Sequence, residues 1–135
     1  MAVTYSTTVK NNRLTQVIEA VQSKTIAAGT GTATAGSIVI GTSALSGATG
    51  VLATFTLGTT PATVSGGVLT ISGTPLSATA SASGTAALAE IRNNAGTVIV
   101  SGLTVGTSGT DIIINSTAIS SGQTVNLTSG TITHG

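Results

Sequence analysis

The chain has 135 residues, the size of one domain, with four Lys or Arg, three Asp or Glu and a formal net charge of +1. A compact fold of this length buries roughly two-thirds of its unfolded surface, so one core is expected. With a mean hydropathy of +0.52 and no Cys, the composition argues against disorder and excludes disulfide or thiolate bracing.

The opening residues Met1 to Tyr5 lack the basic and apolar regions of a secretory signal peptide, so synthesis as a soluble chain in the cytoplasm is expected. No run approaches the roughly 20 apolar residues that span a bilayer. From Val9 to Lys24 the spacing of Leu14, Val17, Ile18 and Val21 (i, i+3, i+4, i+7) predicts a helix with one apolar stripe, capped by Thr7 or Thr8. Lys10, Asn11, Asn12, Arg13, Glu19 and Gln22 lie off the stripe, and Lys24 sits where the helix dipole favours a cation. Such a helix usually packs over its own domain; the alternative is a docking arm for a partner. On the second reading, deletion of residues 1–24 weakens partner binding more than it disturbs the β core.

Residues 27–36 carry only small side chains and read as a flexible Gly/Thr/Ala loop. Beyond it, β-branched runs recur between Gly and Ser-Gly: Ser37 to Ile40, Gly50 to Leu57, Val68 to Ser72, Ala86 to Arg92, Thr97 to Ser101, Asp111 to Ser116, Thr124 to Thr128 and Thr131 to Thr133. Val51, Ala53, Phe55 and Leu57 share one face, as do Ala87, Ala89 and Ile91. Asn93 to Gly96 and Ser121 to Gln123 read as turns, and three consecutive Ile at 112–114 fit a strand covered on both sides. The expected fold is mainly β: an antiparallel, jelly-roll-like β-sandwich over 37–135, preceded by an N-terminal arm and amphipathic helix over 1–26 and the loop over 27–36, one domain overall.

Catalysis needs a positioned base, acid, nucleophile or metal, and one His, three carboxylates, one Tyr and no Cys supply little. Ser108, Asp111 and His134 can be combined into a Ser-His-Asp set only because Ser is everywhere. Glu19, Glu90, Asp111 and His134 are too scattered to suggest a metal site. Gly29-Thr30-Gly31 lacks the spacing of a phosphate cradle, and four basic residues with two aromatics make no nucleic-acid surface. Asn115-Ser116-Thr117 and Asn126-Leu127-Thr128 match the glycosylation pattern and are expected to stay unmodified. Glu90 and Arg92, two apart on one strand face, read as a solvated pair. No catalytic, cofactor or metal residues are assigned.

The opening Ala2-Val3-Thr4-Tyr5-Ser6 with Val9-Lys10-Asn11-Asn12-Arg13-Leu14, the middle Val51-Leu52-Ala53-Thr54, and the end from Val98 to Gly106 and Ile132-Thr133-His134 resemble small virion proteins of tailed bacteriophages, most nearly capsid decoration (cement) proteins. The resemblance implies a non-enzymatic protein on the capsid exterior that bridges major capsid subunits, without cofactor, nucleic acid or membrane. Its partners would be the major capsid protein and itself, as a dimer or trimer. Charge concentration near the N-terminus selects Val3, Tyr5, Lys10 and Arg13 as candidate contacts; the alternative for Tyr5 is that its ring packs under the helix, as large rings commonly fill cores. The alternative is a phage tail or tail-fibre module that binds glycans, which the shortage of aromatic faces disfavours.

Overall fold

The structure, a computed structural model, describes residues 5–26 and 28–133; Val3 and His134 lie outside the described residues. It is mainly β with one helix, arranged as a sandwich. Helix α1 runs over Thr7–Val21. Its cap is Ser6, whose Oγ accepts the Val9 N–H at 3.3 Å, rather than Thr7 or Thr8. It ends before Lys24 because the chain makes a Schellman turn: Ser23 N–H donates to the Ala20 carbonyl at 3.1 Å and Lys24 N–H to that of Glu19 at 2.9 Å. That turn needs a left-handed residue, and Ser23 takes the position at φ +60.

Eleven strands follow among the described residues: β1 (Ser37–Ser46), β2 (Thr49–Thr56), β3 (Ala62–Ser65), β4 (Val68–Ile71), β5 (Leu76–Thr79), β6 (Gly84–Thr85), β7 (Leu88–Arg92), β8 (Val98–Gly106), β9 (Ile112–Ile114), β10 (Ala118–Ile119) and β11 (Thr124–Thr133). Hydrogen bonding follows the path β2-β1-β7-β8-β9-β11-β4-β3, with β5 on β11 and a separate β10-β6 pair. All pairs are antiparallel except β8 with β9, which run parallel through Val105↔Ile112 and Gly106↔Ile113. The β7–β8 hairpin turns at Asn93 to Gly96 as expected, with Asn93 Oδ1 accepting the Thr97 N–H at 2.9 Å. Gly102, at φ +73, does not end β8 but lies where its register against β7 shifts, as at a β-bulge.

One core joins the inner faces. Ile38, Ile40, Phe55, Ala89 and Ile91 meet Leu69, Ile112, Ile114, Val125 and Leu127. The Ile run is covered unequally: Ile112 and Ile114 are buried, while Ile113 on the other face is half-buried. The helix belongs to this core, with Leu14 and Val21 buried in it and Val17 and Ile18 packed beside them. A cavity of about 10 Å³ is left under the helix among Val17, Ile18, Leu69 and Ile71, at the lower limit for one water. Deleting residues 1–24 therefore removes the core side chains Leu14 and Val21 together with the arm, so such a truncation perturbs the β core as well as any docking surface.

The loop after the helix is tied at several points: Thr34 N–H and Oγ1 both donate to the Gln22 carbonyl, Asn94 donates to that of Ala35, and Leu57 N–H to that of Gly36. Gly36 has no room for a side chain, since a Cβ there would lie 2.5 Å from the Arg92 carbonyl and 2.6 Å from Val21 Cγ1.

A second, smaller packing layer lies on the outer face of β1. Val39 is only 2% exposed although it points away from the main core, in register between Thr54 and Glu90. The tip of the β1–β2 hairpin bends back here: Leu45 lies against Gly41, and Arg92 Nη2 donates to the Gly47 carbonyl at 2.7 Å. The same Nη2 meets Glu90 Oε1 at 2.6 Å, with the two side chains 15% and 12% exposed. The expected solvated pair is thus a largely buried clamp over a folded-back hairpin, because the bent tip excludes the water that an isolated strand face would meet.

Candidate functional site

Two of the three carboxylates serve the fold. Glu90 holds Arg92. Asp111 Oδ2 accepts from both the N–H and the hydroxyl of Thr104 at 3.1 Å, and its own N–H donates to Thr104 Oγ1 at 3.1 Å. This reciprocal pair closes the turn through residues 107–110 that carries the chain from β8 to the parallel β9. The Asp111 carboxylate is therefore turned toward Thr104 on β8, and the His134 of the hypothetical triad lies outside the described residues. Among the described residues no three His, Asp or Glu side chains converge on a metal position. No helix among them is long and apolar enough to cross a membrane.

Both sequon asparagines are engaged across strands. Asn115 Oδ1 accepts the Asn126 N–H at 3.0 Å, and Asn126 Oδ1 accepts the Ser77 hydroxyl at 2.8 Å.

The remaining charges converge on one element. Lys10, Arg13 and Glu19 lie on α1 and Lys24 directly follows it. Helical geometry sends Leu14, Val17, Ile18 and Val21 inward, so Tyr5, Val9 and Arg13, spaced by four, run along the outer side. Tyr5 and Val9 are 37% and 40% exposed, two of the four large apolar side chains that reach solvent among the described residues. Arg13 leans toward the helix N-terminus, as helical side chains do, and its guanidinium carbon stands 4.2 Å from the centroid of the Tyr5 ring. Lys10 passes its aliphatic stem over Gly67 in the β3–β4 turn, and Asn11 Oδ1 accepts the Gly67 N–H at 2.8 Å. These contacts fix the orientation of the helix on the sandwich. An open polar depression of about 280 Å³ continues the outer surface along Asn12, Thr15, Gln16 and Glu19.

Of the sequence-selected contacts, the structure brings Tyr5 and Arg13 together and sets Lys10 one turn away at the β3–β4 turn. Val9 adds an exposed apolar side chain that sequence reasoning left out; its position four residues after Tyr5 and four before Arg13 is the signal that could have found it. Comparison with known proteins finds no family model, no curated protein and no solved structure that matches the chain.

Proposed function

We propose that the chain is a non-enzymatic structural protein of a phage particle, seated on the outer capsid surface through its N-terminal arm and the outer side of α1, where it bridges major capsid subunits. The observation that carries the reading is the division of labour among its ionisable groups. Glu90, Arg92 and Asp111 are committed to holding the fold, while the cations Lys10, Arg13 and Lys24 gather on or beside one helix next to exposed Tyr5 and Val9. This distribution suits a docking face on an otherwise neutral Thr/Ser surface, from which little repulsion opposes close packing on a lattice. Modest contacts repeated over a shell add up through avidity.

The sheet edges bear on how copies associate. β3 is short and lies beside α1, Leu52 of the edge strand β2 receives the Ser81 N–H at 2.8 Å, and the register shifts in β8 blunt its open stretch. Association between copies, as the expected dimer or trimer, would accordingly use side-chain faces rather than edge pairing.

Co-sedimentation with heads of the encoding phage assembled without this protein tests the reading. Saturable binding at a lattice-like stoichiometry, with heads that resist heat better, is expected. Absence of binding to heads, with binding to tails or fibres, would move the protein to the alternative class.

A further inference from the structure

We infer that the surface α1 docks on is acidic, and that Arg13, held by Tyr5, receives a carboxylate of the partner protein; the inference rests on the docking reading above and adds the partner's chemistry. Three observations lead to it. First, the charge is one-sided: the N-terminal half of the helix carries Lys10 and Arg13, and the only acid on the helix is Glu19 near its other end. The helix dipole adds positive potential at that same end.

Second, among the described residues neither Lys10 nor Arg13 meets a carboxylate within ion-pair distance, whereas Arg92, on the sandwich, meets Glu90 through Nη2 at 2.6 Å. Third, Arg13 is preorganised. Its guanidinium carbon stands 4.2 Å over the Tyr5 ring centroid, and a guanidinium that meets a ring through its face keeps its in-plane N–H groups for a carboxylate, which they can bind in two parallel hydrogen bonds. Stacking also restrains a long side chain before binding, which lowers the ordering cost at the interface. Val9 and the Tyr5 ring beside it supply apolar area around the charged contact. A nucleic acid is a poorer fit, since two cations and one stacked ring neither track a phosphate backbone nor leave a face for bases.

The test measures binding of the full chain to the same heads across ionic strength, from about 0.05 M to about 0.5 M, where the screening length falls from more than 10 Å to a few Å. Wild-type affinity is expected to fall steadily with salt. Arg13→Gln is expected to lower affinity about tenfold at low salt, the loss of one charge-assisted pair. Arg13→Lys recovers only part of it, because an ammonium has no fork. Lys10→Gln flattens the salt dependence, and Lys24→Gln, at the opposite end of the helix, changes affinity less than about twofold. All three sites are exposed or partly so, and unchanged circular dichroism confirms folding. Salt-independent binding with Arg13→Gln equal to wild type overturns the acidic-partner inference and leaves the docking reading standing. No binding at any ionic strength overturns both.

Discussion

Replacing Arg92 by Met tests whether the clamp over the outer face of β1 holds the hairpin tip. Met keeps most of the side-chain volume and removes the guanidinium. Glu90, 12% exposed, is left without its cation at 2.6 Å, and the Gly47 carbonyl loses a donor at 2.7 Å. Removing one member of a buried pair costs about 3–5 kcal/mol because the other charge stays desolvated. The pair lies at the rim of the small layer around Val39 and not in the main core, so the low end, about 3 kcal/mol, is expected for Arg92→Met. The partner change Glu90→Leu should cost less, since a buried Arg can turn its head toward water. The double variant should recover much of the loss, because two apolar side chains replace two desolvated charges. Urea unfolding followed by circular dichroism gives the three free energies, and the double-mutant cycle gives a coupling of about 2 kcal/mol. Hydrogen exchange should quicken across residues 42–50 in Arg92→Met while the core strands keep their protection. A single variant within about 0.5 kcal/mol of wild type, or single effects that simply add, would refute the clamp.

Other substitutions read separate parts of the structure. Ser23→Gly relieves a left-handed serine in the Schellman turn and is expected to raise stability by about 1 kcal/mol in urea unfolding. Gly36→Ala forces a Cβ against the Arg92 carbonyl and Val21 and should cost about 2 kcal/mol, seen as a lower midpoint at unchanged slope. Ser6→Ala removes the α1 cap and should cost about 1 kcal/mol, measured the same way. Because the chain has one Tyr and no Trp, tyrosine emission reports on Tyr5 alone; Arg13→Ala uncovers one face of the ring and should raise its quenching by acrylamide without altering the urea midpoint.

The sandwich was legible where bulk and alternation were strong. Val51, Ala53, Phe55 and Leu57 marked β2, and Leu14, Val17, Ile18 and Val21 marked the buried side of α1. Strands built from small or few residues escaped: Leu76–Thr79 alternates too weakly to stand out, and the two-residue β6 and β10 exist only through their mutual pairing. The β3–β4 hairpin did carry a signal, the dipeptide Gly66-Gly67 between Ser65 and Val68, with both residues at positive φ as a two-residue turn requires. Gly130 misled in the other direction. It splits two β-branched runs in the sequence, but β11 passes through it unbroken because Ile71 and Ile112 pack where its side chain would stand.

The charges show most clearly what a sequence withholds. Glu90 with Arg92 and Lys10 with Arg13 both appear as close charged pairs on exposed-looking faces, and nothing in their spacing separates them. The difference arises in three dimensions: a hairpin tip folds back over the first pair and withdraws it from solvent, while Arg13 stays on the outer side of a helix whose other side is committed to the core and Lys10 lies half-buried at its edge over Gly67. Once Arg92 is assigned to an internal contact with Glu90, the remaining cations are Lys10, Arg13 and Lys24, all on or beside α1. Changing both Lys10 and Arg13 to Gln takes the formal net charge from +1 to +1 − 2 = −1 without touching a buried side chain. Such a variant should fold as the wild type does and approach an acidic partner more slowly, with the deficit in association rate vanishing at high salt. Slow association at every ionic strength would instead place the barrier in the fit of the apolar Tyr5 and Val9 surface.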